Sequence, residues 1–113
     1  MHEMSLMRDV LRLIEDSAAS EGFSQVTTVR LEIGRLAGVE AEAMRFCFNA
    51  VVCGSIAEGA RLEIVETGGR GWCRNCARPV EMAARYDACP HCGDYGLEIT
   101  AGAEMRLMDL EVT

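Results

Sequence analysis

A small two-layer α/β domain, with two helices on a three-stranded sheet and an inserted cysteine-rich segment, is the fold class this sequence predicts. Three observations carry that reading. Two stretches repeat apolar residues at helical spacing, three alternate with a period of two, and four cysteines fall in two pairs ahead of the last alternating stretch. At 113 residues, half of them hydrophobic, the chain suits one compact unit plus a satellite and is apolar enough to build a core.

The first helix spans residues 4–21. Met4, Met7, Leu11, Ile14 and Ala18 recur at spacings of three and four, and Leu6, Val10 and Leu13 widen the stripe. At that spacing the methionines are core rather than soft metal ligands. Gly22 stands where a C-terminal cap belongs. Residues 26–33 alternate as a strand, with Val29, Leu31 and Ile33 on one face and Thr28, Arg30 and Glu32 on the other. A second helix at 40–52 carries Ala43, Met44, Cys47, Phe48 and Val51 on its apolar side, with Cys47 acting as a small hydrophobe. Strands at 60–66 and 104–112 complete the sheet. Between them Gly68, Gly69 and Gly71 mark a boundary. The division expected is one α/β domain of residues 1–68 and 102–113, interrupted by an insert of residues 69–101.

Composition narrows the function. The net charge is −7, and all 11 cations are arginines. A phosphate-binding loop built on Gly-Lys-Ser/Thr is therefore excluded, and the acidic balance speaks against nucleic-acid binding. No apolar run approaches the ~20 residues that span a bilayer, and the N-terminus carries no signal-like block, so a cytoplasmic location is expected. No Ser-His-Asp set or nucleophile elbow is present, and the chain is expected not to be an enzyme.

The cysteine constellation is the strongest signal. Cys73-Arg74-Asn75-Cys76 and Cys89-Pro90-His91-Cys92 are two Cys-x-x-Cys knuckles twelve residues apart. In a reducing compartment such pairs read as metal ligands rather than disulfides. Two tight turns, each expected at a hairpin tip, would present four thiolates to one ion, with turn N–H groups bonding the sulfurs and Gly93 supplying the unusual backbone angles. Four thiolates close a tetrahedral sphere, which makes the site structural, with Zn(II) favoured. Iron in a rubredoxin-like role would use the same ligands. The insert is thus a zinc ribbon, and a zinc-ribbon nucleic-acid or protein interaction module is the alternative function class. His91 reads as an exposed turn residue.

The start of the chain carries a second donor set. The terminal amine, the His2 amide nitrogen and the His2 imidazole close adjacent chelate rings, and the Glu3 amide or a carboxylate completes the plane. A nitrogen-rich planar set suits Ni²⁺ or Cu²⁺ better than Zn²⁺.

Met1-His2-Glu3-Met4-Ser5-Leu6, Val29-Arg30-Leu31-Glu32-Ile33-Gly34, Phe46 and the knuckles ending in Cys89-Pro90-His91-Cys92-Gly93 together resemble the HypA/HybF family of nickel metallochaperones for [NiFe]-hydrogenase maturation. The likeness covers essentially the whole chain. It implies a nickel domain and a zinc domain. His2 would be the key Ni(II) ligand, assisted by Met1 and Glu3 and, by position, Glu40. Cys73, Cys76, Cys89 and Cys92 would be the zinc ligands. It also implies a HypB-type GTPase and the [NiFe]-hydrogenase large subunit as partners, with urease maturation factors as a further possibility in some members.

Overall fold

The protein is described here by a computed structural model covering residues 3–113. Its elements follow in the order α1 (Glu3–Glu21), β1 (Val26–Gly34), α2 (Ala41–Val51), β2 (Arg61–Thr67), β3 (Gly69–Cys73), β4 (Arg78–Met82), β5 (Glu98–Ala101) and β6 (Met105–Val112). They form two helices and two three-stranded sheets, ordered β2-β1-β6 and β4-β3-β5. The α/β class and the completion of a three-stranded sheet by the last strand both hold. The three strands of the insert are additional, because short segments of arginine, glycine and proline carry little alternation to read.

Two compact units emerge. The first comprises the chain up to Leu31, Val39–Ile64 and Leu107–Thr113; the second comprises Glu32–Gly38 and Val65–Arg106. In the first unit α1 packs on α2. Met7, Val10 and Ile14 of α1 and Met44 and Phe48 of α2 are buried, as are Val26, Val29 and Leu31 of β1 and Leu62 of β2. Full burial of side chains of this size stabilises by roughly 1.5–3 kcal/mol each. The helical stripe is narrower than the sequence suggests, since Leu13 stays 52% exposed. Gly22 caps α1: its N–H donates to the Ala18 carbonyl at 2.8 Å, and its φ of +83° then turns the chain out of the helix.

The opposite face of the first unit's sheet is organised by one cation. The Arg30 guanidinium on the central strand donates to Glu63 at 2.9 Å, to Asp109 at 2.6 Å and to Glu111. These carboxylates come from both flanking strands, so Arg30 ties β2 and β6 to β1. Hydrogen bonding to Asp109, Glu111 and Glu63 holds Arg30 well above its usual range, and the Arg30 bond holds Glu111 below the usual carboxylate range.

A depressed carboxylate contributes stability that is present above its unfolded pKa and is lost as pH falls through the folded one. Thermal melts of the wild type should therefore show a falling Tm as pH drops below about 4.3, the ordinary glutamate value. Arg30→Ala leaves Asp109 and Glu111 without their cation and Glu63 with Arg61 alone. It should lower Tm at neutral pH and show a flatter acid limb, since protonation then relieves repulsion. An Arg30→Ala melt that parallels the wild type at every pH would refute this role.

Candidate metal centre

The second unit is built around sulfur. β3 and β4 pair antiparallel, from Gly69 opposite Met82 to Cys73 opposite Arg78, so Cys73 and Cys76 sit at the tip of a hairpin. The second knuckle does not. β4 and β5 lie on opposite sides of β3, so the chain from residue 83 to residue 97 must cross from one edge of the sheet to the other, and Cys89 and Cys92 belong to that crossing. The Asp87 carboxylate shapes its start, accepting from the N–H groups of Ala83 and Ala84 at 2.8 and 3.0 Å. The knuckle then closes on itself, with Gly93 N–H donating to the Cys89 carbonyl at 2.8 Å and Cys89 N–H to that of Asp94 at 2.7 Å.

All four Sγ atoms lie within 4.8 Å of one another. Cys73 and Cys92 are 3.7 Å apart, and Cys76 and Cys89 are 4.0 Å apart. A disulfide would need about 2.05 Å. Metal–sulfur bonds of about 2.3 Å in a regular tetrahedron place sulfurs about 3.8 Å apart, so the spacing fits a four-coordinate ion. Turn amides support the sulfurs as the knuckle spacing predicts: Cys76 N–H donates to Cys73 Sγ and His91 N–H to Cys89 Sγ, both at 3.4 Å. Cys73 and Cys89 are buried, at 0% and 2% exposure, and form a small core with Val80, against which Cys76 and Leu97 pack.

The thiols differ in proton affinity. Hydrogen bonds from the Asn75 side chain and then the Asp94 backbone stabilise the Cys92 thiolate and lower it to about 6. Cys76, bonded to Cys92 and desolvated, is pushed up to about 12. Cys73 is also raised: the Cys76 N–H favours its thiolate, but burial and the neighbouring Cys92 and Cys89 outweigh it. Asn75 is a contributor the cysteine spacing alone did not reveal; its amide inside the first knuckle was the available signal.

The residue after each knuckle takes a left-handed backbone. Gly93 has φ +78° and Ala77 has φ +52°. Glycine meets this demand freely, whereas alanine is strained there.

The other expected site residues lie apart from this cluster. Met1 and His2 lie outside the described residues. Glu3 opens α1. Glu40 is the N-cap of α2, but its side chain makes no cap hydrogen bond and is exposed. Among the described residues, the four cysteines are the only group of three or more His, Cys, Asp or Glu side chains placed to share an ion. His91 is exposed in its turn. No described helix is long and apolar enough to cross a membrane.

Residues 1–112 match a family profile described as HypA, hydrogenase/urease nickel incorporation, metallochaperone. The chain is 55% identical to the hydrogenase maturation factor HypA of Azotobacter chroococcum and 57% identical to that of Albidiferax ferrireducens, in each case over 99% of both chains. Its fold is similar to the solution structure of the Ni metallochaperone HypA from Helicobacter pylori, with a TM-score of 0.73 and 27% identity, covering 99% of this chain and 97% of that one.

Three substitutions test the centre. Cys76→Ala or Cys92→Ala should abolish the one-ion stoichiometry measured by elemental analysis and speed amide exchange across the second unit, because its core is too small to hold without the ion. Retention of one ion per chain by both variants would remove the four-sulfur assignment. Ala77→Gly should leave metal content unchanged and raise the melting stability by at most about 1 kcal/mol, as relief of the left-handed strain exceeds the backbone entropy cost of glycine.

Proposed function

The chain belongs to the HypA family, and from that premise we propose that it carries Ni(II) as cargo in [NiFe]-hydrogenase maturation and holds structural Zn(II) on Cys73, Cys76, Cys89 and Cys92. The observation that carries the reading is the family match over residues 1–112. The sulfur spacing supports the zinc assignment, since it fits a closed tetrahedral ion.

Nickel would be held at the start of the chain by the His2 imidazole, with backbone nitrogens of Met1, His2 and Glu3 and the carboxylates of Glu3 and Glu40 in support. A nitrogen-rich donor set suits Ni(II), whereas the four-thiolate set suits zinc. The uncommitted Glu40 side chain favours its inclusion, because no helix cap claims it. A carrier must also release its cargo. A centre in which dismantling the ligand set unfolds its own surroundings is a poor donor, so holding and delivery fall to different ends of the sequence. The nickel-bearing domain is assigned to residues 1–68 and 102–113, and the zinc ribbon to 69–101.

On this reading the protein is a carrier rather than an enzyme, works in the cytoplasm, and needs neither nucleic acid nor membrane. Its partners are a HypB-type GTPase and the hydrogenase large subunit, with urease maturation factors as further recipients.

His2→Ala should abolish specific nickel binding in a spectroscopic titration, with zinc content and Tm close to wild type. Nickel affinity of the wild type should fall as pH drops below about 6.5, where an ordinary imidazole gains its proton. Zinc should remain bound throughout the nickel titration. Full nickel affinity in His2→Ala, or stoichiometric zinc release as nickel enters, would overturn the assignment.

A further inference from the structure

The last strand of the first unit leaves one flank of its sheet open. In the order β2-β1-β6, β6 has a hydrogen-bonded neighbour on one side only. Thr113 N–H donates to the Gln25 carbonyl at 3.1 Å, and the Glu111 carbonyl accepts from the Thr27 hydroxyl at 3.1 Å. Thr113 and Glu111 therefore turn their backbone groups toward β1. Strand alternation then turns the N–H and C=O groups of Met108, Leu110 and Val112 outward.

Edges of this kind are normally blunted by lysine, proline, a bulge or a covering element. Residues 107–113 contain no lysine and no proline. Met108 is 41% exposed and Val112 44%. Beside the strand runs a cavity of about 400 Å³, lined by Ser17, Glu21 and Phe23 together with residues 107–110 and Val112.

We propose that Leu107–Val112 is a strand-addition site for an extended segment of a partner protein in which apolar and basic side chains alternate. The outward backbone groups supply the pairing that such recognition uses. Apolar side chains of the incoming strand would lie beside Met108, Leu110 and Val112 and reach Phe23. Its basic side chains would lie on the other face, beside Asp109 and Glu111. Asp109 and Glu111 pair with Arg30, and Glu63 is shared between Arg30 and Arg61, so three carboxylates face two arginines and one negative charge is left over. The same charge argues against a second copy of the chain as occupant: self-pairing would bring Asp109 and Glu111 of two molecules together on chains of net charge −7, and like charges across a strand pair are destabilising.

The test uses the full-length, zinc-loaded chain with two short synthetic peptides, one alternating valine with arginine and one alternating valine with glutamate. The arginine peptide should bind in calorimetry and slow amide exchange at Met108, Leu110 and Val112. The glutamate peptide should bind at least about tenfold more weakly. Leu110→Pro removes an outward donor without a ladder bond and should abolish the slowing. Met108→Lys, which replaces an apolar contact of the incoming valines with a solvated cation, should weaken the arginine peptide while Tm holds, which keeps the test open should the proline variant misfold. Equal affinity for both peptides, or binding without protection of β6, would overturn the proposal. So would self-association in sedimentation that Leu110→Pro removes while neither peptide binds, since the edge would then belong to a second copy.

Discussion

Sulfur atoms brought to 3.7 and 4.0 Å without a covalent bond create a crowded, poorly hydrated place for ionisable groups. The protein meets that demand unevenly. Backbone N–H groups reach Cys73 and Cys89, and Asn75 supports Cys92, while Cys76 is left with a strongly held proton. A divalent ion bound there would replace the protons and screen the thiolates at once. The rest of the second unit is arranged around this point. Val80 and Leu97 surround the sulfurs, β3 carries one knuckle to the hairpin tip, and the crossing between β4 and β5 brings the other.

The first unit solves a different problem. Its stability comes from ordinary burial of helix and strand side chains, and its sheet is held on the polar face by Arg30. It needs no ion to fold on this account, which suits a region proposed to gain and lose cargo. On the proposed assignment, holding one metal in the core of one unit and the other at the start of the chain would separate permanence from exchange.

Much of this was readable from residues alone because the signals are periodic or chemically narrow. The stripe of Met7, Ile14 and their neighbours marked α1, the alternation of Val29, Leu31 and Ile33 marked β1, and four cysteines at knuckle spacing marked the centre. What escaped depends on tertiary geometry. Nothing local assigns three carboxylates from β2 and β6 to Arg30, because they lie 33 to 81 residues away in sequence. A hairpin tip is the natural guess for a second knuckle, yet the placement of β4 and β5 on either side of β3 forces a crossing instead. Ala77 gives no warning of its left-handed backbone, which follows from the turn that Cys76 must complete. The start of the chain was read through donor chemistry and resemblance, and Met1 and His2 lie outside the described residues.

The burial of the cysteines has a kinetic corollary. Each knuckle contributes a deep sulfur, Cys73 or Cys89, and a shallower one, with Cys76 half-buried and Cys92 exposed. Attack by a chelator or an electrophilic oxidant thus has a preferred point of entry at Cys92. Losing that ligand first leaves both segments still anchored by their inner sulfurs. With an ion bound at the proposed site, demetallation would then be an ordered unlatching, reversible until a deep cysteine lets go.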